Sequence, residues 1–161
     1  MSSRPALAEL STDCGEPQLP MRATWPTAAM QASLRALAQH AAPRECCGWV
    51  TAQTVRIADN TATGNAQFEF AAADLLAFAR ARDLPMTHRD YPIAIFHSHP
   101  HGPASLSDAD LAAALVRVND HPPQPSYTAH QLLIVGPTWQ VLHFEFDATA
   151  PRFFRQFGAE P

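Results

Sequence analysis

Two histidines separated by a single residue, His97 and His99, directly follow an apolar, β-branched and aromatic run of strand type at residues 91–96. Residues two apart on a strand point to the same face, so the two imidazoles should converge while Ser98 points away. Pro100 has no N–H for a sheet ladder and should end the strand. The sequence therefore predicts a pair of imidazoles at the end of a strand, where a loop begins.

A carboxylate follows at a distance that could complete a metal site. Ser107-x-x-Asp110 opens a helical pattern whose apolar positions are Leu111, Leu115 and Val118, which places Ser107 at the N-cap and Asp110 in the first turn. A short, proline-stiffened loop can bring this carboxylate back toward the histidines. Two His and one Asp leave a Zn²⁺ ion one open tetrahedral position for water, which is the arrangement of a hydrolytic zinc site.

Each of these features also has a simpler explanation. A His-x-His pair on a strand is often incidental, and Ser107-x-x-Asp110 alone is a helix cap with an acidic residue that the helix dipole favours. An isolated glutamate before a strand, as at Glu45, is most simply an exposed charge. The combination of all three in one chain is what favours a site.

The combined pattern resembles the JAMM signature of the JAB1/MPN/Mov34 metalloprotease family. Ser107 lies eight residues and Asp110 eleven residues after His99, and a proline follows the second histidine, as in that family. The segment 43–48, Pro-Arg-Glu-Cys-Cys-Gly, looks like the Pro-x-Glu-x-Cys-Gly opening of the prokaryotic single-domain members and contains Glu45. The order of the flanking elements extends the resemblance over residues 20–146.

The resemblance implies one Zn²⁺ per chain, held by His97, His99 and Asp110, which would lower the pKa of a bound water toward about 7. Glu45 would be the general base, which takes a proton from this water and delivers it to the leaving amine. Ser107 would direct its hydroxyl at the developing oxyanion. It is not expected to be a nucleophile, because no histidine is left at a motif position to activate it.

The implied reaction is zinc-dependent hydrolysis of the amide bond after the C-terminal Gly-Gly of a ubiquitin-like or sulfur-carrier protein, either as deconjugation or as precursor processing. Two other classes remain open. The chain could be a catalytically inactive MPN scaffold that binds protein partners. It could also be another metal enzyme, such as an iron oxygenase with a facial triad or a zinc deaminase, although the Pro-Cys-x-x-Cys pair of the deaminases is absent from the sequence.

Composition limits the remaining classes. The 161 residues suffice for one domain with a core. Charged residues make up 16% and the formal net charge is −4, without a basic cluster, so no nucleic-acid partner is expected. No apolar run reaches a membrane span and residues 1–5 lack a secretory signal, so we expect a cytoplasmic protein with no membrane partner. Cys14, Cys46 and Cys47 do not suggest a disulfide framework, and the adjacent pair is expected to be buried in a core strand.

The expected organisation is a flexible N-terminal extension (residues 1–20), a JAMM/MPN domain (21–150) and an apolar C-terminal tail (151–161) that could dock on the body or on a partner. The fold class is α/β, with a mixed twisted sheet flanked by helices, and the resemblance implies a cytidine-deaminase-like MPN sandwich. The first half of the chain is predicted to form a helix over 26–42, two strands or a hairpin within 46–58, a turn at 60–65 and a short strand at 68–70. A second helix is predicted over 71–83, with Leu75, Leu76, Phe78 and Ala79 as its apolar side. Later in the chain we expect a proline-rich loop over 119–130 and a hairpin of strands 131–135 and 139–146.

Overall fold

A computed structural model of the chain describes residues 25–110, 129–147 and 154–157. The expected extension, the helix beyond Asp110 and most of the expected proline-rich loop lie outside these residues. The described elements are α1 (Ala28–Ala41), β1 (Cys47–Val50), β2 (Val55–Ala58), α2 (Ala72–Arg82), β3 (Ala94–Ser98), β4 (Ala129–Val135), β5 (Val141–Asp147) and β6 (Phe154–Phe157).

The described strands form one six-stranded sheet in the order β2-β1-β3-β4-β5-β6. β3 and β4 are parallel, and the other four neighbouring pairs are antiparallel. A parallel pair needs a long crossover connection, and the one between β3 and β4 begins with the His-x-His segment and includes helical residues 108–110. The expected α/β fold with a mixed sheet and helices is confirmed.

Helix α1 covers one face of the sheet. It begins after Thr27, whose hydroxyl accepts a hydrogen bond from the backbone N–H of Met30 at 3.2 Å. Met30, Leu34 and Ala38 recur every four residues, so they share one side of the helix and are buried against Phe96 and other sheet residues. The helix expected over 26–42 is therefore confirmed, with its apolar stripe as the reason for its position.

The opposite face is covered differently from what the sequence suggests. Phe68 and Phe70, from the segment before α2, pack on this face, and α2 itself reaches it through Phe78. Leu75 and Leu76 are 56% and 52% exposed, so the expectation that they belong to the buried side of the helix is wrong. The phenylalanines already occupy the sheet surface that these leucines would need.

Two other expected elements differ in detail, and the tail takes one of its two expected alternatives. Residues 68–70 are not a strand, because the segment forms one isolated bridge, between Asn60 and Phe70. Trp139 precedes β5 and lies in a turn with φ of 63°, closed by a 2.9 Å bond from the Gly136 N–H to the Gln140 carbonyl. In the tail, residues 154–157 pair with β5 as an edge strand, so this segment docks on the sheet.

Gly48 in β1 lies where neighbouring backbones leave no room for a side chain. A Cβ at this position would overlap the carbonyl oxygen of Arg56 and lie 2.7 Å from Cε1 of Phe96. We expect Gly48→Ala to lower the free energy of unfolding by about 1–3 kcal/mol, as overpacking of a core does, measured by chemical denaturation. Gly64→Ala is the control, since its nearest contact would be the flexible Gln67 side chain at 3.4 Å. Equal stability of both variants would contradict the role of Gly48.

Candidate metal centre

The two histidines and the aspartate that the sequence singled out meet at one point. Nε2 of His97 lies 2.9 Å from Nε2 of His99 and 2.9 Å from Oδ1 of Asp110, and Nε2 of His99 lies 3.5 Å from Oδ2 of Asp110. All three side chains are buried. Two imidazole nitrogens and one carboxylate oxygen thus form a compact set of electron-pair donors, in which each residue offers one atom within 4.8 Å of the others.

The end of β3 orients these imidazoles. His97 lies within β3, and the N–H of His99 bonds to the carbonyl of Val135 on β4 at 2.8 Å, which extends the ladder one residue past the strand. Nδ1 of His99 lies 3.1 Å from the carbonyl oxygen of Pro103. Because a carbonyl can only accept, Nδ1 carries a proton, so in the neutral imidazole the lone pair of Nε2 faces the cluster, and only the doubly protonated ring can donate from Nε2 to Asp110. The loop after the strand therefore selects the tautomer that a metal requires.

Asp110 is held by a capping box with Ser107. The backbone N–H and the hydroxyl of Ser107 donate to Oδ2 of Asp110 at 2.8 and 2.7 Å, and the Asp110 N–H donates to the Ser107 hydroxyl oxygen at 3.1 Å. The predicted N-cap at Ser107 is thus present. The same hydrogen bonds that begin the helix also fix the carboxylate that faces the histidines.

Glu45 reaches the cluster through the pairing of β1 with β3. Cys47 is the partner of His97, and the N–H of Ser98 bonds to the carbonyl of Cys46 at 3.1 Å, so the antiparallel register continues beyond the strand and brings Glu45 opposite His99. Its side chain is only 6% exposed and lines the same cleft as Asp110. The structure therefore brings together all five residues selected from the sequence.

The cluster shifts the two carboxyl groups in opposite directions. Burial raises the pKa of Glu45 to about 7, although His99 opposes the shift. Burial also raises the pKa of Asp110, but hydrogen bonds from His97 and His99 outweigh it and hold this pKa well below its usual range. The hydrogen bond to Asp110 in turn raises the pKa of His99. Asp110 is thus suited to remain an anionic ligand, and Glu45 to exchange a proton near neutral pH.

The geometry of the cluster fits a tetrahedral cation. Donor atoms at ~2.0–2.1 Å from a zinc ion lie roughly 3.3 Å from one another in a tetrahedron. Nε2 of His97 lies 2.9 Å from both Nε2 of His99 and Oδ1 of Asp110, slightly closer than that value, and the 3.5 Å contact of His99 is with the other carboxylate oxygen, Oδ2. The donors are two imidazoles and a carboxylate, a set that zinc accepts and that leaves a fourth position for a water or substrate. The residues present could therefore hold a metal ion.

The adjacent cysteines do not take part in this centre. Cys46 and Cys47 are both free and buried, as expected. Burial raises the pKa of Cys47 to about 12, so its thiol stays protonated, and its sulfur faces the carbonyl of Ala58 at 3.8 Å. Burial likewise raises the pKa of Cys46. Neither thiol is suited to act as a nucleophile or a thiolate ligand.

Two residues beside the site were not selected from the sequence. The ring of Phe68 stacks on the imidazole of His97, with centroids 4.6 Å apart and an interplanar angle of 24°. Asn60 donates from Nδ2 to the carbonyl of Glu45 at 2.9 Å. The sequence showed Asn60 only as a turn residue, and no pattern there signalled that residues 60–70 fold back over the metal ligands.

A cleft of about 790 Å³ opens beside the cluster. One wall is formed by residues 65–70, and the other by residues 99–103 with Ser107 and Asp110. Phe70, Leu75 and Phe78 contribute apolar surface to its lining. None of the described residues that line it is a lysine or arginine. The cluster is thus accessible from a groove with room for an extended chain.

A mixed sheet with a His-His-Asp cluster beside a buried glutamate defines a JAB-type domain. Residues 27–147 match the family of prokaryotic homologs of the JAB domain, and because this match covers most of the chain, the protein belongs to that family. The resemblance proposed from the sequence is confirmed. No curated protein matches the chain significantly.

Two solved structures resemble the chain to different degrees. The solution structure of a protein from Desulfitobacterium hafniense is similar over 81% of this chain and 87% of its own, with 18% identity and a TM-score of 0.55. The solution structure of a Salinibacter ruber protein matches 84% of this chain and 91% of its own, with 19% identity and a TM-score of 0.45. The first comparison supports the MPN fold. Within the described part of the chain, no helix combines the length and apolar character needed to cross a membrane.

Metal content is the most direct measurement on this cluster. We expect the purified protein to contain about one zinc per chain, and His97→Ala, His99→Ala to lose it, because a site with three protein ligands is weakened severely by removing two. Elemental analysis after dialysis measures this. His101→Ala is the matched control, since this exposed histidine lines the cleft but is not one of the clustered donors. Full zinc occupancy in the double variant would refute the site.

The raised pKa of Glu45 makes the stability of the metal-free protein depend on pH. A carboxyl whose pKa rises from 4.5 to about 7 on folding stabilises the protein while protonated, and this stabilisation is lost as pH rises through about 7. Glu45→Gln removes the penalty of burying a charge. In urea unfolding with a chelator present, the free energy of unfolding of the variant should therefore rise relative to that of wild type between about pH 5 and pH 8. The exposed cleft residue Glu69→Gln is the control, and a pH-independent difference for Glu45→Gln would contradict the assignment.

Proposed function

We propose that this protein is a zinc-dependent metalloprotease of the isopeptidase type, which hydrolyses the amide bond after the C-terminal Gly-Gly of a ubiquitin-like or sulfur-carrier protein. The observation that carries the proposal is the buried convergence of His97, His99 and Asp110 with Glu45 beside them on one cleft. A protein that only binds partners needs neither the convergence nor a buried glutamate with a pKa near neutrality.

A zinc ion held by His97, His99 and Asp110 supplies Lewis acidity and makes a water nucleophilic at neutral pH. The remaining chemistry belongs to Glu45. Its carboxylate accepts the proton that the attacking water loses when the water oxygen bonds to the carbonyl carbon. It then delivers this proton to the amine nitrogen as the carbon–nitrogen bond breaks. In the metal-free protein burial raises the pKa of Glu45 to about 7, and the same carboxyl group lies where it can make both transfers.

The Ser107 hydroxyl can donate a hydrogen bond to the oxyanion while Ser107 keeps its other two hydrogen bonds to Asp110. Its hydroxyl oxygen is held by the Asp110 N–H, and its own N–H remains bonded to Oδ2 of Asp110 at 2.8 Å. Only the hydroxyl hydrogen has to rotate away from the carboxylate to donate to a developing negative charge. Such a donor typically stabilises the transition state by a few kcal/mol, about 2.7–4 in measured cases.

The cleft suits an extended tail with small residues next to the cut. Its walls are two irregular segments, residues 65–70 and 99–103, whose backbones can offer main-chain hydrogen bonds to an extended chain. The reacting carbonyl has to approach three buried side chains, which favours residues without a Cβ on either side of the bond that is attacked. The lining has no arginine or lysine in the described residues that could select an acidic sequence. Recognition would then come from the Gly-Gly tail and the folded body that carries it.

The test is hydrolysis of a ubiquitin-like or sulfur-carrier protein that ends in Gly-Gly and carries one further amide-linked residue. We expect cleavage after the second glycine, identified by mass spectrometry, and no cleavage when either glycine is replaced by leucine. Glu45→Gln should keep its zinc and lose about 10²–10⁴-fold in rate, because it cannot accept a proton. Glu69→Gln serves as the control on the same cleft.

Three outcomes would contradict parts of this proposal. Equally fast cleavage of unfolded peptides that lack glycine would indicate a general peptidase. A rate for Glu45→Gln above about a tenth of wild type would remove Glu45 as the base, given the usual size of acid–base contributions. A fully zinc-loaded protein that binds such a conjugate without cleaving it would favour the scaffold alternative.

A further inference from the structure

The side chain of Asn60 uses its whole hydrogen-bonding capacity on backbone groups near the metal centre. Its Nδ2 donates to the carbonyl oxygens of Glu45 at 2.9 Å and Gln67 at 3.0 Å. Its Oδ1 accepts from the N–H groups of Ala62 at 3.0 Å and Glu69 at 3.1 Å. An amide has two donor hydrogens and two acceptor lone pairs, so all four are satisfied. This half-buried side chain therefore joins three separate points of the chain.

Two of these four bonds bracket Phe68. The carbonyl of Gln67 and the N–H of Glu69 lie on either side of this residue, so Asn60 fixes the backbone from which the ring projects. The ring lies nearly parallel to the imidazole of His97 at 4.6 Å. Stacking at this distance restricts rotation of the imidazole and keeps water from one of its faces.

The remaining contacts make the arrangement rigid. Arg44 donates from Nη2 to the carbonyl oxygens of Asn60 at 3.0 Å and Ala62 at 2.7 Å. The N–H of Thr61 bonds to the carbonyl of Glu69 at 2.9 Å, beside the bridge between Asn60 and Phe70. Residues 60–70 thus form a closed loop held from inside by the Asn60 side-chain amide. Glu45, the proposed general base, is attached to the same amide through its backbone carbonyl.

We propose that Asn60 is a positioning residue of the metal centre, which acts through the Phe68 ring on the orientation of His97 and holds the backbone of Glu45 in register with it. The proposal rests on the metal binding proposed above and extends it to a residue that is no ligand. Partners of this kind around a ligand are typically worth 10–100-fold in metal affinity, ~1.4–2.7 kcal/mol.

The experiment compares Asn60→Asp, Phe68→Leu and the double variant. Asn60→Asp keeps the size and the acceptors of the side chain but cannot donate to Glu45 and Gln67. We expect the Kd for Co²⁺, from chelator competition, to rise about 10–100-fold in each single variant, with a changed visible absorption spectrum of the bound ion. The Co²⁺ affinity of the double variant should be little lower than that of the single variant that binds Co²⁺ more weakly, because both changes act through the Phe68 ring. Thr61→Val is the matched control. It removes the 3.2 Å hydrogen bond from the Thr61 hydroxyl to the Glu69 carbonyl within the same loop. It leaves intact the two bonds of the Asn60 side chain, to the Gln67 carbonyl and the Glu69 N–H.

A second measurement does not depend on the metal. In the chelator-treated protein, the ring current of Phe68 should shift the imidazole proton resonances of His97, and Asn60→Asp should reduce that shift while Thr61→Val leaves it unchanged. An unchanged resonance and an unchanged Co²⁺ affinity in Asn60→Asp would overturn the proposal. Equal losses in Asn60→Asp and Thr61→Val would overturn it as well, because they would indicate general weakening of the loop. If wild type binds no Co²⁺ but the resonance moves, the proposed function fails and the positioning of His97 by Asn60 stands.

Discussion

The antiparallel register of β1 against β3 is the constraint on which the candidate site depends. Cys47 pairs with His97 and Gly48 with Phe96, and the pairing continues until Glu45 meets His99. A slip of one residue would turn every side chain of β1 to the other face, and a slip of two would move Glu45 by about 7 Å. Gly48 helps to fix this register, because the close backbone approach at its position admits no side chain.

Burial and charge work against each other in this cluster, and the outcome gives each carboxyl group its chemistry. Both groups are withdrawn from water, which favours their neutral forms. Asp110 accepts hydrogen bonds from two imidazoles and from Ser107, so its charge is compensated, whereas for Glu45 the charge of His99 opposes the effect of burial without outweighing it, and the charge of Asp110 adds to that effect. Two acids of similar intrinsic strength are therefore suited to different roles within one site, Asp110 to remain an anion and Glu45 to exchange a proton near neutral pH.

The two faces of the sheet are used for different purposes. Helix α1 seals one face with a continuous apolar stripe. On the other face, the segment over residues 60–70 and helix α2 border a cleft beside the His-His-Asp cluster, and Leu75 in the lining of this cleft remains exposed. The residues that cover this face, Phe68 and Phe70, also form the walls of the cleft. Core packing and access to the site are thus provided by the same side chains.

Sequence alone selected the residues of the candidate site and predicted the class of the fold. His97, His99 and Asp110 were recognisable because a strand aligns residues two apart and a helix cap places Asp110 in a first turn, which are local rules. Glu45 was selected only through the family resemblance, because its proximity to His99 depends on strand pairing far along the chain. The helix over 26–42 was predicted from periodicity, and the hairpin of strands 131–135 and 139–146 from the turn residues 136–138 between them, which are also local signals.

Tertiary structure decided what local patterns cannot encode. Periodicity treats Leu75, Leu76 and Phe78 alike, but in the structure Phe78 packs against Trp49 and Phe70, and both leucines are more than half exposed. The role of Asn60 came from bonds to residues up to fifteen positions away, formed only once the loop had closed. The pKa of Glu45 likewise followed from burial, which exists only when both strands and the loop are assembled.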